Sequence, residues 1–590
     1  MDRRQWLASL GAGGVGLSLT WWSPMVRAVQ WLSPSASVID TRGLNANAQR
    51  VFDLSVSSAD PSPTGVVLWT HIRPEAVRLN EPLWLQVAFD VQFGQLVLQA
   101  RIDPQEISPE RDHTIKVDLD GLLPTQANAL TCYFRFIYDG TVSHTGRCRT
   151  LPGNGTSLDH LKLGLLTCQD FTNGYYGALG HLAKDDSIDY VLHLGDFIYE
   201  SAGDPRFQSL PFADRALALP SGSRFAMDLA DYRAIYRTCR ADAQLQAAME
   251  RHTFICIPDD HETANDCYWD YARDTLGAPD HPYTTDPRYG NDPALLRRLK
   301  LDSQRAWSEY VPARIAFNPL ATHPHQALSA YRRFAFGRFL DLFVIENRSY
   351  RSPHPCGEKD FGGRYLPASC TTLSPPLQTL LGAAQHDWLI EGLTQSKATW
   401  KLMGNQTFFG RLALTTSQGV QIAPLDVDAW DGYVAERQAI ASALREAKVR
   451  NFVVATGDLH SYIASHIKHD YGNLSPLDTS NQLGVEFMTP SVTSSSLSET
   501  LGPKLTPAQR LLLAQVLAGP FMKANNPHIN FFDSANHGYS TLSFNNSFVE
   551  WVAYAVDKGN NSPLVGRRCI SRQRKYMSSP WLSSQSTVGF

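Results

Sequence analysis

The sequence predicts a layered α/β fold preceded by an all-β domain, with two or more domains in its 590 residues. From residue 161 onward, short apolar runs alternate with helix-length segments, and this alternation favours an α/β layered domain. Between residues 51 and 152, evenly spaced short strands are instead typical of a β-sandwich, immunoglobulin-like or fibronectin-like. The chain is too long for one ordinary domain, and its 43% hydrophobic content suffices for a large core.

The first 28 residues have the pattern of an export signal. Arg3 and Arg4 precede a weakly apolar, glycine-rich run over residues 8–22, and Ala28 closes a stretch that suits a signal peptidase. Adjacent arginines ahead of such a run are typical of a twin-arginine signal. We therefore expect the twin-arginine export machinery as a partner, and a periplasmic or secreted location. Residues 29–50 are interpreted as a linker.

The composition argues against two classes of partner. A net charge of -4 gives no reason to expect nucleic acid or an anionic membrane surface as the main partner. No segment after the signal offers the ~20 apolar residues that span a bilayer, so no stable membrane span is expected. The oligomeric state is left open by the sequence.

Nine cysteines are an odd number, so at least one thiol lacks an intramolecular disulfide partner. Cys132 and Cys148 flank a predicted hairpin, and Cys356 and Cys370 bracket a loop, which makes both pairs candidate disulfides. Cys168 is proposed as the unpaired thiol, held as a metal ligand.

Four predicted strands end in groups that can bind metal ions. These are Cys168 and Asp170 after residues 161–166, Asp196 and Tyr199 after residues 190–194, DDHE (259–262) and Asn265 after residues 254–257, and GDLHS (457–461) after residues 451–456. Open α/β sheets place their active sites at the carboxyl ends of strands, so we expect these groups to converge. Each motif alone could be a charged turn or a helix cap, and it is the recurrence that indicates a metal site.

Phosphate ester hydrolysis needs this equipment, because one ion activates water while a second neutralises phosphoryl oxygens. His261 is positioned in the sequence to donate a proton to the leaving oxygen. A thiolate with the Tyr199 phenolate and a carboxylate suits ferric iron better than zinc. The surplus of oxygen ligands suits a hard ion such as calcium or magnesium.

The α/β domain is predicted to span residues 158–556 and to end in a hairpin over residues 537–556. Its longer helices are expected at residues 234–249, 295–310, 435–447 and 506–517. Residues 557–590 form a C-terminal tail that is either disordered or folded over the cleft.

Several of these motifs resemble signatures of the alkaline phosphatase D (PhoD-like) family of metallophosphoesterases. They are TCQ (167–169), LGDFIYE (194–200), DDHE (259–262), GDLHS (457–461), GNQ (404–406), EFMTPS (486–491) and NPH (526–528). Residues 51–70 resemble the N-terminal domain of the family, so the resemblance covers nearly everything after the signal. It implies a metallophosphoesterase sandwich of two mixed sheets flanked by helices, behind a β-sandwich domain.

The resemblance also implies Fe(3+) and Ca(2+) as cofactors. On this basis the metal ligands would be Cys168, Asp196 and Tyr199 for iron, with Asp196 near calcium, and Asp260, Asp458 and His460 to complete the cluster. His261 falls at the position of the catalytic histidine, and Asp196 is expected to take part in catalysis as well. Arg348 and Asn265 are candidate phosphate-binding residues, although a structural salt bridge is an equal alternative for Arg348.

The function that follows is hydrolysis of small-molecule phosphate mono- and diesters by an exported, metal-dependent enzyme. Its biological role would be phosphate acquisition from organic phosphates. One alternative is a phospholipase D-like diesterase that acts on phospholipid head groups. Another is a non-catalytic surface-binding module with a degenerate α/β scaffold.

Overall fold

The computed structural model describes residues 25–588 apart from residues 27, 33–38, 40, 42, 205–207, 209–210, 371–377, 417–419, 473–477, 502–505, 507–508, 510–511 and 513–518. Most of the predicted signal and most of the predicted helix over residues 506–517 lie outside the described residues. Within the part that is described, no helix combines the length and apolarity needed to cross a bilayer.

Two large mixed sheets form the centre of the fold. The first runs in the order β27 (Leu582–Ser584), β26 (Arg567–Tyr576), β25 (Phe548–Val556), β24 (Gly538–Asn545), β10 (His160–Leu166), β11 (Tyr190–His193), β12 (Thr253–Cys256), β2 (Val56–Ser62), β3 (Gly65–His71) and β6 (Thr114–Asp118). The second runs in the order β15 (Arg332–Phe336), β16 (Leu340–Val344), β17 (Trp400–Gly404), β20 (Phe452–Thr456), β22 (Gln482–Met488), β21 (Tyr462–Lys468) and β23 (Ile529–Asp533). In each sheet a parallel centre is flanked by antiparallel strands, which confirms the predicted α/β class with mixed sheets.

The two sheets share one buried apolar core. Leu165 and Leu192 of the first sheet lie in the same buried cluster as Leu342 and Val453 of the second. Parallel strands buried on both faces read as continuous apolar runs, and β20 (FVVAT) shows this pattern. The opposite faces of the sheets are covered by helices, so each sheet is buried on both sides at its centre.

The helices pack in two groups outside the sheets. Against the first sheet lie Gly177–Ala183, Leu229–Arg240, Ala243–Arg251 and Pro293–Tyr310, and against the second lie Ala383–Gln395 and Val434–Glu446. Shorter helices are Pro282–Thr285, Pro324–Ala327, Leu497–Leu501 and Gly519–Asn525. The single helix predicted over residues 234–249 is in fact two, because Asp242 caps a new helix through the backbone N–H groups of Gln244 and Leu245.

The N-terminal strands pack as two layers around a separate core that includes Leu68, Leu85 and Phe134. One layer is a six-stranded sheet of β1 (Val29–Leu32), β5 (Leu96–Ile102), β4 (Leu83–Ala88), β7 (Thr131–Tyr138), β8 (Thr141–Val142) and β9 (Gly146–Arg149). The other layer is β2, β3 and β6, and it continues the first large sheet because β2 pairs with β12, Ala59 opposite Phe254. The strand pattern of residues 51–152 gave no indication of this shared sheet.

Three expectations about the ends of the chain need correction. The predicted linker begins with β1, which pairs with β5. The predicted terminal hairpin exists as β24 and β25, but it does not end the sheet. The residues assigned to a tail add β26 and β27 to the edge beside β25, so neither disorder nor a fold over the cleft describes them. Two small hairpins complete the strands: β13 (Tyr268–Asp270) with β14 (Thr275–Gly277), and β18 (Ala413–Thr415) with β19 (Gln421–Pro424).

The cysteine predictions have two outcomes. Cys356 and Cys370 form a disulfide, as expected. Cys132 and Cys148 lie opposite each other in β7 and β9, as expected, but both are free thiols in this structure.

Candidate metal centre

The predicted ligand groups meet at the carboxyl ends of β10, β11, β12 and β20. Four of them, listed here with their backbone φ, adopt the left-handed conformation that is uncommon outside glycine: Cys168 (55°), Asp196 (54°), Asp458 (68°) and His460 (51°). Such conformations persist only where the surrounding structure fixes them, and they concentrate at functional sites. The recurrence of this backbone at predicted ligands supports a shared role.

The first ligand group combines sulfur, nitrogen and oxygen. Ligand atoms of Cys168, Asp196 and His460 all lie within 4.8 Å of one another. The Tyr199 hydroxyl joins them, 3.1 Å from Asp196 Oδ2 and 3.2 Å from His460 Nε2. Cys168, Asp196 and Tyr199 are buried, and His460 is partly buried.

The orientation of His460 makes its Nε2 a ligand atom. Its Nδ1 lies 2.6 Å from the backbone oxygen of Ser495, which can only accept, so Nδ1 carries the proton. Burial lowers the pKa of His460 to about 3, and the imidazole is therefore neutral. A neutral ring with Nδ1–H presents a lone pair on Nε2, the usual arrangement for a metal-bound histidine.

The second ligand group contains only oxygen and shares Asp196 with the first. Carboxylate oxygens of Asp196, Asp259 and Asp260 lie within 4.8 Å of one another, and all three residues are buried. Among the described residues, Asp259 Oδ2 accepts no hydrogen bond, and Asp260 Oδ1 has the Arg348 guanidinium 3.3 Å away but no hydrogen bond. A buried carboxylate oxygen without a donor is costly, and a cation would satisfy it.

Electrostatics also favour a cation here. Burial, with Asp260 and Asp259 beside it and opposed by His261, raises the pKa of Asp196 well above its ordinary value. Burial and the neighbouring Asp196 likewise raise the pKa of Cys168 and of Tyr199. Positive charge in the middle would reverse these shifts, since it favours the ionised form of every group around it. The donor set therefore fits metal ions.

Arg348 is an internal cation rather than a residue that faces the cleft. Its side chain is fully buried, and its guanidinium contacts Asp259 (2.5 Å), Asp428 (2.6 Å) and Asp458 (2.9 Å). Of the two roles that the sequence left open, the structure favours the salt bridge over a phosphate clamp. Asp458 thus lies beside Arg348, next to the two ligand groups but outside both.

Asn265, the other candidate for phosphate binding, is also engaged elsewhere. Its side-chain amide donates to Asp280 Oδ2 at 2.7 Å, and Asp280 in turn pairs with Arg364. Asp170 is likewise outside the ligand groups, because it accepts from Thr172 and Gln208 and caps a short 3-10 turn.

His261 is where the sequence predicted a proton donor, beside the shared ligand. Its backbone N–H donates to Asp196 Oδ1 at 3.3 Å, and its Nδ1 lies 2.7 Å from Glu200 Oε2. The Glu200, Asp260 and Asp196 carboxylates, against the effect of burial, raise the pKa of His261 well above its ordinary value. These carboxylates favour the charged form of the ring, and Glu200 accepts from Nδ1.

Two carboxylates around the site were missed by sequence reasoning as supporting groups. Glu262 accepts the backbone N–H groups of Asp196 (3.1 Å), Phe197 (2.6 Å) and Asp259 (2.6 Å), so it joins the loops after β11 and β12. Asp428 neutralises Arg348, and no local motif marks it. Because Glu262 lies within DDHE, the sequence also allowed it as a metal ligand. Only these contacts distinguish its supporting role from a ligand role.

This candidate metal centre lies in a layered α/β fold, and comparison with known proteins places the chain among the phosphoric ester hydrolases and identifies the family. The PhoD-like phosphatase family matches residues 163–551, and its N-terminal domain matches residues 38–152. The chain belongs to the PhoD-like phosphatase family.

Two relatives agree with this assignment. Alkaline phosphatase D of Bacillus subtilis (strain 168) is 29% identical over 540 residues, which are 90% of this chain and 80% of the relative. A solved structure described as "Structure of PhoD" superposes with a TM-score of 0.73 at 26% identity, covering 91% of this chain and 93% of that one. The match therefore extends across the N-terminal layers as well as the α/β domain.

Proposed function

We propose that the protein hydrolyses phosphate mono- and diesters with metal ions held at the carboxyl edge of its two sheets. The observation that carries this proposal is that two compact ligand groups, one mixed and one of oxygen alone, share Asp196. A carboxylate that bridges two ions is the recurring arrangement of two-metal phosphoesterases.

The chemistry of each group suggests which ion it would hold. Cys168, Tyr199, His460 and Asp196 offer thiolate, phenolate, imidazole and carboxylate, a set that suits Fe(3+). Asp196, Asp259 and Asp260 offer only oxygen, which suits Ca(2+). Asp458 lies next to this second group and contacts Arg348 through Oδ1.

When bound, the ions would supply Lewis-acid activation of water and neutralise phosphoryl oxygens. The residues of the chain do the rest. Asp196 belongs to both ligand groups and would contribute to holding both ions, and it accepts the His261 backbone N–H, which keeps the proton donor beside the ligands. His261 gives a proton to the leaving oxygen as its bond to phosphorus breaks. Arg348 offsets part of the carboxylate charge that the site accumulates.

We further infer an exported enzyme that releases phosphate from organic esters for acquisition. The support is the pattern of residues 1–28, with its paired arginines, and the Cys356–Cys370 disulfide, which suits an oxidising compartment. A phospholipase D-like activity would need an apolar rim around the cleft. Hydrolysis of phosphatidylcholine compared with that of soluble diesters separates the two activities. A surface-binding module without catalysis would not retain the complete set of ligands.

The test is hydrolysis of bis(4-nitrophenyl) phosphate by purified protein, together with metal analysis and a visible spectrum. Wild-type protein should carry iron and calcium and show a charge-transfer band from iron beside the Tyr199 phenolate. Asp196→Asn and Cys168→Ala should lower hydrolysis at least about 100-fold with a folded, unchanged circular dichroism spectrum. Full activity in either variant would remove the proposal.

A further inference from the structure

We propose that Glu200 is a positioning residue that holds His261 as the proton donor to the leaving oxygen. The inference rests on the proposed function and adds a residue that neither the sequence motifs nor the ligand groups assign. Glu200 is the last residue of LGDFIYE (194–200), immediately after the metal-binding candidate Tyr199.

The contact between the two side chains is short and buried. His261 Nδ1 lies 2.7 Å from Glu200 Oε2, and Glu200 is 1% exposed. The second oxygen, Oε1, accepts the backbone N–H of Asn265 at 2.9 Å. Because both oxygens are engaged, the carboxylate cannot rotate without losing a charge-assisted hydrogen bond.

Two further contacts fix the plane of the His261 ring. The ring of Tyr199 lies against it, with centroids 4.0 Å apart and an interplanar angle of 32°. The backbone N–H of His261 is held by Asp196 Oδ1. Stacking allows the ring to slide and turn within its plane, and the bond to Glu200 removes that freedom.

Glu200 is itself anchored from outside the ligand groups. Its backbone oxygen accepts the N–H of Ala226 at 2.7 Å, and the next residue, Ser201, pairs with Phe225. Neither Ala226 nor Phe225 contributes to the two ligand groups. The orientation of His261 therefore depends on a segment separate from the ions, and it can be disturbed without removing a ligand.

The bond to Glu200 also decides which nitrogen reacts. A carboxylate accepts, so Nδ1 carries a proton that stays with Glu200, and Nε2 is the nitrogen left to carry the proton for the leaving oxygen. In the step, the Nε2–H bond breaks and its proton joins the leaving oxygen, which takes the electron pair of the breaking P–O bond. The nucleophile, water that has lost a proton to solvent, forms the new P–O bond. His261 then regains a proton from solvent, while Nδ1 keeps its bond to Glu200.

This role makes a prediction that a purely structural role does not. A leaving group that departs readily as an anion needs little help from a proton donor, whereas a more basic one depends on it. Loss of the orientation of His261 should therefore lower the rate of diphenyl phosphate hydrolysis more than the rate of bis(4-nitrophenyl) phosphate hydrolysis. General damage to the site would lower both rates by the same factor.

The experiment compares kcat for both esters in the metal-loaded wild type, Glu200→Ala, Glu200→Gln, His261→Ala and the double variant. We expect the kcat of Glu200→Ala to fall about 100-fold on diphenyl phosphate and only about tenfold on bis(4-nitrophenyl) phosphate. Glu200→Gln keeps one acceptor for Nδ1 and should retain an intermediate rate. The double variant should be no slower than His261→Ala, since residues that act as one unit are not additive.

Asp280→Asn is the matched control, because Asp280, like Glu200, contacts Asn265, whereas the acceptor for His261 Nδ1 is Glu200. Any loss in this control should be equal for the two esters. Equal losses in Glu200→Ala, or a lower metal content in it, would overturn the positioning role while leaving hydrolysis by the wild type intact. Failure of the proposed function looks different, because the metal-loaded wild type would then hydrolyse neither ester.

Discussion

The replacement of Arg348 by methionine tests whether an internal cation holds the carboxylates of the site together. The guanidinium is fully buried and contacts three aspartates within 2.9 Å, Asp259, Asp428 and Asp458, with Asp260 at 3.3 Å. Methionine is an unbranched side chain without charge, so it removes the cation while it still fills part of the space that the arginine occupied. The aspartates would then face one another in a medium of low polarity.

The expected loss of stability follows from the burial of the partners. Removing one member of a buried ion pair costs about 3–5 kcal/mol, because the other member keeps its charge without compensation. Unfolding entropy is about 2.1 cal/mol/K per residue, or about 0.8 kcal/mol/K for a unit of about 400 residues. The melting temperature should therefore fall by about 4–6 °C.

The assay is differential scanning fluorimetry of wild type, Arg348→Met, Arg348→Lys and Arg251→Met, each with its metal content measured. Arg348→Lys keeps the charge but not the forked geometry, so its melting temperature should lie between those of wild type and Arg348→Met. Arg251→Met removes a solvent-exposed pair with Asp186 and should shift the melting temperature by less than about 1 °C. If Arg348→Met melted within about 1 °C of wild type at equal metal content, the reasoning about this network would be refuted.

Two further predictions concern the junction between the N-terminal layers and the α/β domain. Burial lowers the pKa of Lys116 to about 7. From pH 7 to about 10 the unfolded chain therefore binds more protons than the folded one. The free energy of unfolding should rise with pH across that window. In Lys116→Met this rise should be absent from melting curves at pH 7 and 9.5, and an equal rise in both proteins would contradict it. A fragment of residues 158–590 should be insoluble or aggregated in size-exclusion chromatography, because it exposes the edge of β12 and leaves Arg332 without Asp60. A monomeric, cooperatively melting fragment would show that the N-terminal layers are dispensable.

Local patterns were sufficient to predict the main elements of the α/β domain. Apolar runs located β10, β11, β12 and β20 to within one or two residues, and the Asn545–Asn546 turn located the hairpin of β24 and β25. These features depend on neighbouring residues, so their information is contained in short windows. The motif resemblance then predicted the family, which the comparisons confirm.

Contacts between distant segments were not predictable in this way. Asp428 follows β19, a strand without any metal motif, and only folding brings it 2.6 Å from Arg348. The basic and polar strand β26 was interpreted as part of a tail because a strand half-exposed to solvent carries no continuous apolar run. Its backbone hydrogen bonds come from pairing with β25, and the composition of β26 does not indicate this pairing.

The sequence by itself determined which residue types follow each strand, and therefore which chemistry the chain is able to perform. The tertiary structure alone decided how those side chains are grouped: Cys168 and His460 form one group with Asp196, and Asp259 and Asp260 form a second group with it. It also placed Arg348 in contact with the aspartates and Glu200 in contact with His261. The physical reason is that a buried charge must find a partner in space, and which partner it finds depends on how the two sheets stack.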